Sequence, residues 1–322
     1  MLNGAPFPSF CIYFVFLCAI IAILTDYSLE IDMKLLSFGE IIWDVYPDGC
    51  TLGGAPLNFA AHAALQGTEA YLASAVGTDA LGERALGEIG KLGIRCDYVS
   101  TNALPTGECR VTLGEGGVPS YKILEGVAYD KIELSGIEKA DFDAIAFGTL
   151  ALREEHNRAA LLRLLHSGSF REIYTDLNIR EPYYSKDSIE LCLSFATIAK
   201  ISDEELPKVT KALFGEVLDP PRAAKTIKNR FPGIKLILIS CGSDGAVCYD
   251  CKSSKSYRCA AVPTMVVSTV GAGDSFGATF LTKYMKTRDV EASMHLAAMV
   301  SAFVVSHMEA IPADTREFLE RA

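Results

Sequence analysis

From Met33 onward, short apolar runs alternate with segments of helical periodicity, and this alternation narrows the fold more than any other feature of the chain. Apolar runs bounded by turn residues read as buried strands, and the helices between them supply the crossovers that a parallel sheet requires. Strands are predicted at Leu35–Phe38, Tyr71–Val76, Ala144–Phe147, Ile173–Asp176, Thr197–Ile201 and Lys235–Ser240. Helices are predicted at Leu57–Leu65, Leu81–Leu92, Glu154–His166, Asp203–Phe214, Arg222–Arg230, Ser275–Met285 and Ala292–His307. Pro56 and Gly67 frame the first of these in the way helix starts and stops prefer. The pattern predicts an α/β protein whose mainly parallel sheet carries helices on both faces.

Two stretches interrupt the alternation. Trp43–Leu52 and Cys109–Leu124 have hairpin character and no crossover helix beside them, the second turning through Gly114-Glu115-Gly116-Gly117. Hairpins near residues 43–53 and 105–126 are expected to form a small sheet projecting from the main domain, placed as a lid. Residues 33–322 then form one domain with an appendage.

Half of the residues are hydrophobic, enough for a large core. The formal charge of −10 argues against nucleic acid or an anionic membrane as partner, so an anionic ligand must be held by local backbone donors. Ten cysteines without regular spacing suggest reduced thiols and a cytoplasmic protein. Residues 1–32 stand apart. Phe10–Leu24 is an unbroken apolar run, shorter than the roughly 20 residues that span a bilayer, and no Lys or Arg precedes it as a secretory signal would require. Met33 reads as a natural start, so the extension is expected to reflect an upstream start codon chosen in error; a membrane anchor is the rival reading.

The run Ser268-Thr269-Val270-Gly271-Ala272-Gly273-Asp274-Ser275-Phe276 carries the chemistry. It follows a strand-like segment, Met265–Val267, and opens a helix. Glycines at 271 and 273 let successive N–H groups converge at a helix N-terminus, a ready anion site. An aspartate there would repel a phosphate in pure binding. It fits if Asp274 takes a proton from a hydroxyl while the glycine amides hold the phosphoryl group being transferred. The glycine spacing is one residue too long for a dinucleotide fingerprint, and no G-x-x-x-x-G-K-S/T occurs. An aspartate-capped tight turn is the plain alternative.

Other segments are compatible with that chemistry. Gly53-Gly54-Ala55-Pro56-Leu57-Asn58 lets a ligand approach the backbone, with Asn58 and Asp44 suited to neighbouring hydroxyls; a glycine turn feeding a Pro-started helix explains it equally. Asp176-Leu177-Asn178-Ile179-Arg180 ends a strand where ligand crevices form, and Arg180 could meet a phosphate, a carboxylate or a surface partner. Asp79 reads as a helix cap without chemistry. Ser202-Asp203-Glu204-Glu205 has capping-box spacing, with an outer contact from Glu205 to Mg²⁺ and nucleotide phosphates as a compatible second role. Ser240-Cys241-Gly242-Ser243-Asp244-Gly245 is a glycine turn that could line a nucleotide.

In this order, from about Lys34 to Pro312, the motifs resemble the PfkB/ribokinase family of carbohydrate kinases. Gly53-Gly54 through Asn58 matches its N-terminal signature and Thr269 through Phe276 its D-T-x-G-A-G-D-x-F; Ser202–Glu205 resembles N-x-x-E and Ser240–Gly245 resembles T-x-G-x-x-G. The resemblance implies a ribokinase-like three-layer α/β/α sandwich with a β lid, and transfer from Mg-ATP to a sugar primary hydroxyl. It implies Asp274 as base, with Gly271, Ala272 and Gly273 as the anion hole. Asp44, Gly53, Gly54 and Asn58 fall on sugar contacts, with Arg180 as a further candidate; Gly242, Ser243, Gly245 and Glu205 fall on the nucleotide side. Gly39-Glu40-Ile41-Ile42-Trp43-Asp44 with Gly-Gly-Ala-Pro-Leu-Asn is most similar to fructokinases, as is Gly126-Val127-Ala128-Tyr129-Asp130. D-x-N-x-R keeps 2-keto-3-deoxygluconate kinases as the alternative, and a non-catalytic sugar sensor is the rival of another class. Ser268 replaces the family's aspartate, so the resemblance does not extend to a potassium site. It leaves open a homodimer through the lid, and it implies no membrane partner.

Overall fold

The computed structural model describes residues 33–113, 119–137 and 140–321; the extension of residues 1–32 and the Gly114–Gly117 turn lie outside them. The chain forms a nine-stranded sheet in the order β13-β12-β11-β10-β9-β8-β1-β4-β5. Its parallel members are β1 (Lys34–Phe38), β4 (Glu69–Gly77), β5 (Arg95–Asn102), β8 (Ala144–Phe147), β9 (Glu172–Asp176), β10 (Ile198–Ser202) and β11 (Leu236–Ser240). β12 (Ala246–Asp250) and β13 (Ser256–Cys259) close one edge antiparallel.

The central strands are buried on both faces, which is why they read as continuous apolar runs rather than alternating ones. Successive side chains still go to opposite sides. Leu36, Phe38, Phe147, Ile201 and Ile237 pack under α3 (Glu155–Ser167), α4 (Lys186–Phe195), α5 (Leu206–Phe214) and α6 (Pro220–Arg230). Leu35, Ala146, Tyr174, Ile198 and Leu238 pack under α1 (Ala55–Leu65), α2 (Ala80–Lys91), α7 (Ala272–Thr287) and α8 (Val290–Val305). The result is the three-layer α/β/α sandwich; a short α9 (Thr315–Arg321) ends the described chain.

A second, four-stranded sheet, β3-β2-β6-β7, joins β2 (Ile42–Tyr46), β3 (Gly49–Gly53), β6 (Gly107–Leu113) and β7 (Pro119–Ile123). β2 and β6 pair in parallel through Asp44 and Cys109, while the two hairpins are antiparallel. This sheet leaves the main one at the carboxyl end of β1 and returns directly into α1. Asp79 anchors its base: besides capping α2 through Gly82 N at 2.8 Å, it accepts from Thr106 N at 2.8 Å and Thr106 Oγ1 at 2.6 Å.

Several elements differ from the sequence prediction. β5 lies at the sheet edge with polar, half-exposed residues, so it lacks the apolar run that marks an interior strand. α4 is started by a reciprocal Ser185–Ser188 capping box that a hydrophobic pattern does not reveal. α5 begins at Leu206 rather than Asp203, because residues 203–205 form a turn closed by Ser202 and Glu205. Met265–Val267 is exposed, irregular chain rather than strand; only Val267 N and Ser268 N bond to the main chain, both at Val305 O.

Candidate active site

The carboxyl ends of β1, β8, β9, β10 and β11 lie side by side, and the N-termini of α1 and α7 meet there. Each turn is shaped by a close contact. At Gly54, φ is +115°, and a Cβ would lie 2.5 Å from Glu40 O. That strain would bar any side chain, so the backbone can bend sharply into α1. At Gly271, φ is +79°, and a Cβ would come within 2.9 Å of the Ala310 backbone. Gly271 is the N-cap of α7 and offers no side chain to cap it. The first-turn N–H groups at Ala272, Gly273 and Asp274 therefore keep little or no intrahelical pairing, Ala272 N reaching only Thr269 O at 3.3 Å. An anion cup follows from this geometry and from the helix dipole.

Asp274 stands half-buried at the rim of the cup. Its Oδ2 accepts from Asn58 Nδ2 at 2.8 Å, joining α7 to α1. Burial, with Asp176 adding to it, raises the Asp274 carboxyl to about 6, while Asn58, Lys200 and Arg180 oppose the rise. A carboxylate of that strength is ionised at neutral pH and still basic enough to accept a proton.

A pocket beside Asp274 is lined by Ser37, Glu40, Pro56, Tyr174, Asp176 and Asn178, among others. Glu40 is buried, and its Oε1 accepts from Ala55 N at 3.3 Å. Burial raises its carboxyl to about 7, with Asp274 contributing. Asp44, on β2, is half-buried; burial raises its carboxyl, countered by a hydrogen bond from the Cys109 thiol and by Arg180. Gly53 leaves room for it, since a Cβ there would sit 3.4 Å from Asp44 Oδ2. Arg180 is exposed, yet its guanidinium lowers the carboxyls of Asp44, Glu40 and Asp274.

The nucleotide-side candidates form a row along the next strand ends. Glu205 Oε1 accepts from Ile179 N at 2.7 Å and Oε2 from Ser202 N at 2.8 Å, so its carboxylate ties the ends of β9 and β10 together. Asp203 N then bonds Ser240 O at 2.8 Å, linking β10 to β11. Beyond it, Gly242 and Ser243 are exposed in a 3-10 turn, and Gly245 has φ +90° with its Cβ position 2.7 Å from Ala261 N. Among the described residues no group of three His, Cys, Asp or Glu is placed to hold a metal. With both Glu205 oxygens already accepting backbone N–H groups, the residues present fit a cation carried by nucleotide phosphates rather than a protein cage.

Asp274, Asn58, Gly54 and the 271–273 turn thus come together with Asp44 and Arg180, while Gly242–Gly245 stands two strands away. Sequence reasoning missed Glu40 and Lys200. Each carried a signal: a carboxylate directly after a buried strand, and a lysine inside the apolar run Ile198–Ser202.

Comparison with known proteins agrees with this fold. The chain is 27% identical over 316 residues to probable fructokinase-4 of Arabidopsis thaliana, covering 87% of this chain and 93% of that protein. It is 26% identical over 283 residues to the fructosamine kinase FrlD of Bacillus subtilis, covering 84% and 90%. A solved fructokinase from Vibrio cholerae O395, with fructose, ADP and calcium bound, superposes with a TM-score of 0.75 at 19% identity, covering 88% and 96%, a likeness of fold. Residues 21–316 match the pfkB family carbohydrate kinases, and a match of that extent makes the chain a member of that family.

Proposed function

We propose that this carbohydrate kinase transfers the γ-phosphoryl group of ATP to a primary hydroxyl of D-fructose, giving fructose 6-phosphate. The observation that carries the reading is the 2.8 Å bond between Asn58 and Asp274, which joins the polyol-facing segment to the anion cup. The sugar lies beside Asp274, with Asp44, Gly53, Gly54, Asn58 and Arg180 as its contacts. The attacking hydroxyl oxygen bonds to the γ-phosphorus, its proton passes to an Asp274 oxygen, and the bond to the β-phosphate oxygen breaks to release ADP. Amides at Gly271, Ala272 and Gly273 stabilise charge on the transferring group. Gly242, Ser243 and Gly245 line the nucleotide, and Glu205 orders the phosphate end through the two strand ends it joins. A Mg²⁺ ion on the phosphates supplies neutralising charge when bound.

Ser268 brings no carboxylate to the cup, so activity independent of potassium is part of the reading. The four-stranded sheet acts as a lid that excludes water from the transfer, and it is the surface through which a homodimer would form. The described cysteines are all free, which suits a cytoplasmic enzyme. No described helix is long and apolar enough to cross a membrane.

Arg180, whose guanidinium acts on the carboxyls of Asp44, Glu40 and Asp274, favours one second reading, a sugar acid such as 2-keto-3-deoxygluconate, whose carboxylate it would pair. Steady-state rates with Mg-ATP over fructose, ribose, fructosamine and 2-keto-3-deoxygluconate test both. The highest kcat/KM is expected for fructose. A preference for the acid transfers the assignment to it, and sugar binding without ATP turnover overturns catalysis altogether.

A further inference from the structure

Lys200 and Asp176 occupy neighbouring strands, β10 and β9, directly behind the anion cup. Lys200 is 5% exposed, and its Nζ donates to Asp176 Oδ2 at 2.7 Å. A buried ammonium with a carboxylate partner is not in itself unusual. Two features set this pair apart. Lys200 Nζ lies 3.3 Å from the point a Cβ on Gly273 would occupy, so the charge sits against the first turn of α7. Asp176 Oδ1 is buried without a protein partner, and Asp176 shares the pocket wall with Asp274. A pair serving only to hold β9 to β10 has no need of a buried, unpaired oxygen on a residue of that pocket wall.

We propose that the Asp176–Lys200 pair, buried against the first turn of α7 and bordering the pocket that Asp274 lines, is the positioning device that sets the pH at which Asp274 begins to work. The inference rests on the base role proposed for Asp274. The other groups facing Asp274 do not replace the pair. From α1 comes the neutral Asn58 amide, and from β9 the Tyr174 phenol, which burial keeps protonated. Glu40, after β1, titrates only at about 7. Glu205, at the start of α5, is itself raised by burial and by Asp176, and spends its oxygens on Ile179 N and Ser202 N. Arg180 is exposed, so salt and water screen it. The buried pair is screened least; Lys200 favours the ionised form of Asp274, and Asp176 opposes it.

The test is the acid limb of kcat/KM against pH, measured for the whole chain with Mg-ATP and the preferred sugar. Lys200→Met is expected to move the limb up by about one pH unit and Asp176→Asn to move it down by a similar amount. The Asp176→Asn/Lys200→Met double variant, which removes both charges, is expected to return it near the wild-type position. Single variants that slow turnover while leaving the limb in place, or that shift it the same way, overturn the proposal. If Lys200→Met does not fold, as judged by circular dichroism, the Asp176→Asn and double variants still decide the sign. Asp274→Asn is run alongside: full activity there overturns the base reading, whereas an inactive Asp274→Asn with unmoved limbs overturns only the role of the pair.

Discussion

Asn58 and Asp274 are 216 residues apart in sequence and share a 2.8 Å hydrogen bond. The bond works against burial: it favours the ionised carboxylate that desolvation disfavours. It also orients the oxygen beside the amides of the cup. In the proposed reaction, one side chain thereby couples the seat of the sugar to the readiness of the base.

Asp274→Asn keeps the size and the Asn58 contact while removing the proton acceptor. Turnover is expected to fall by about 10²–10⁴-fold, with ATP affinity by calorimetry little changed. Near-wild-type turnover would remove Asp274 from the mechanism.

The wild-type pH profile should show Asp274 directly. The ionised form is the active one, so kcat/KM is expected to hold above about 6 and to fall about tenfold per pH unit below it. Asn58→Ala withdraws a group that lowers this value, so its limb should move toward higher pH. A limb that moves down instead would contradict the hydrogen bond's role.

Glu40 predicts a stability effect of definite sign. Its carboxyl is raised from 4.5 to about 7 by burial, so the folded state disfavours its ionisation. The cost is absent below about pH 4.5, where both states are protonated, and grows until pH passes 7. Glu40→Gln is therefore expected to stabilise the unliganded protein by roughly 1–3 kcal/mol at pH 8 and by almost nothing near pH 4. Urea melts at the two pH values give the comparison.

Two glycine-to-alanine changes should have opposite outcomes. Gly271→Ala places a Cβ at φ +79° against the Ala310 backbone and is expected to cost about 2 kcal/mol or more, along with activity. Gly87, inside α2, has nothing within 4 Å of its Cβ position, so Gly87→Ala should add about 0.5–1 kcal/mol. Thermal melts of the two variants would show whether position, rather than glycine itself, matters.

Arg153 joins the small sheet to the body. It donates to Asp130 Oδ1 at 2.8 Å, to Asp130 Oδ2 at 2.9 Å and to Leu124 O, just past β7, at 2.7 Å. Both side chains of the ion pair are nearly inaccessible. Arg153→Met leaves Asp130 buried and unpaired, an expected loss of about 3–5 kcal/mol by urea denaturation. Asp130→Asn/Arg153→Met should recover part of that loss, and a double variant no better than the single would argue against the pair.

How far each part of the site was legible depended on how local its cause is. Pro56, Gly54 and Gly271 announce their turns because a backbone bend needs a particular residue in place, whatever surrounds it. Interior strands such as Ala144–Phe147 announce themselves because burial on both faces demands an apolar run. β5 escaped notice because an edge strand has no such demand, and Met265–Val267 misled because an apolar triplet without a pairing partner is not a strand. Glu40 and Lys200 were present as oddities of pattern, a carboxylate just past a buried strand and a lysine inside an apolar one. Their meaning required knowing what stood opposite them.

The sequence by itself determined the alternation of strands and helices, the Pro56-led start of α1 and the glycine turn at Gly271–Gly273, since each follows from short-range sterics and periodicity. Only the tertiary structure decided that Asn58 reaches Asp274, that Lys200 sits behind Gly273, and that Asp176 pairs with it from the neighbouring strand. Those relations arise from parallel strands whose order in space is not their order in the chain, and electrostatic coupling depends on distance in space alone.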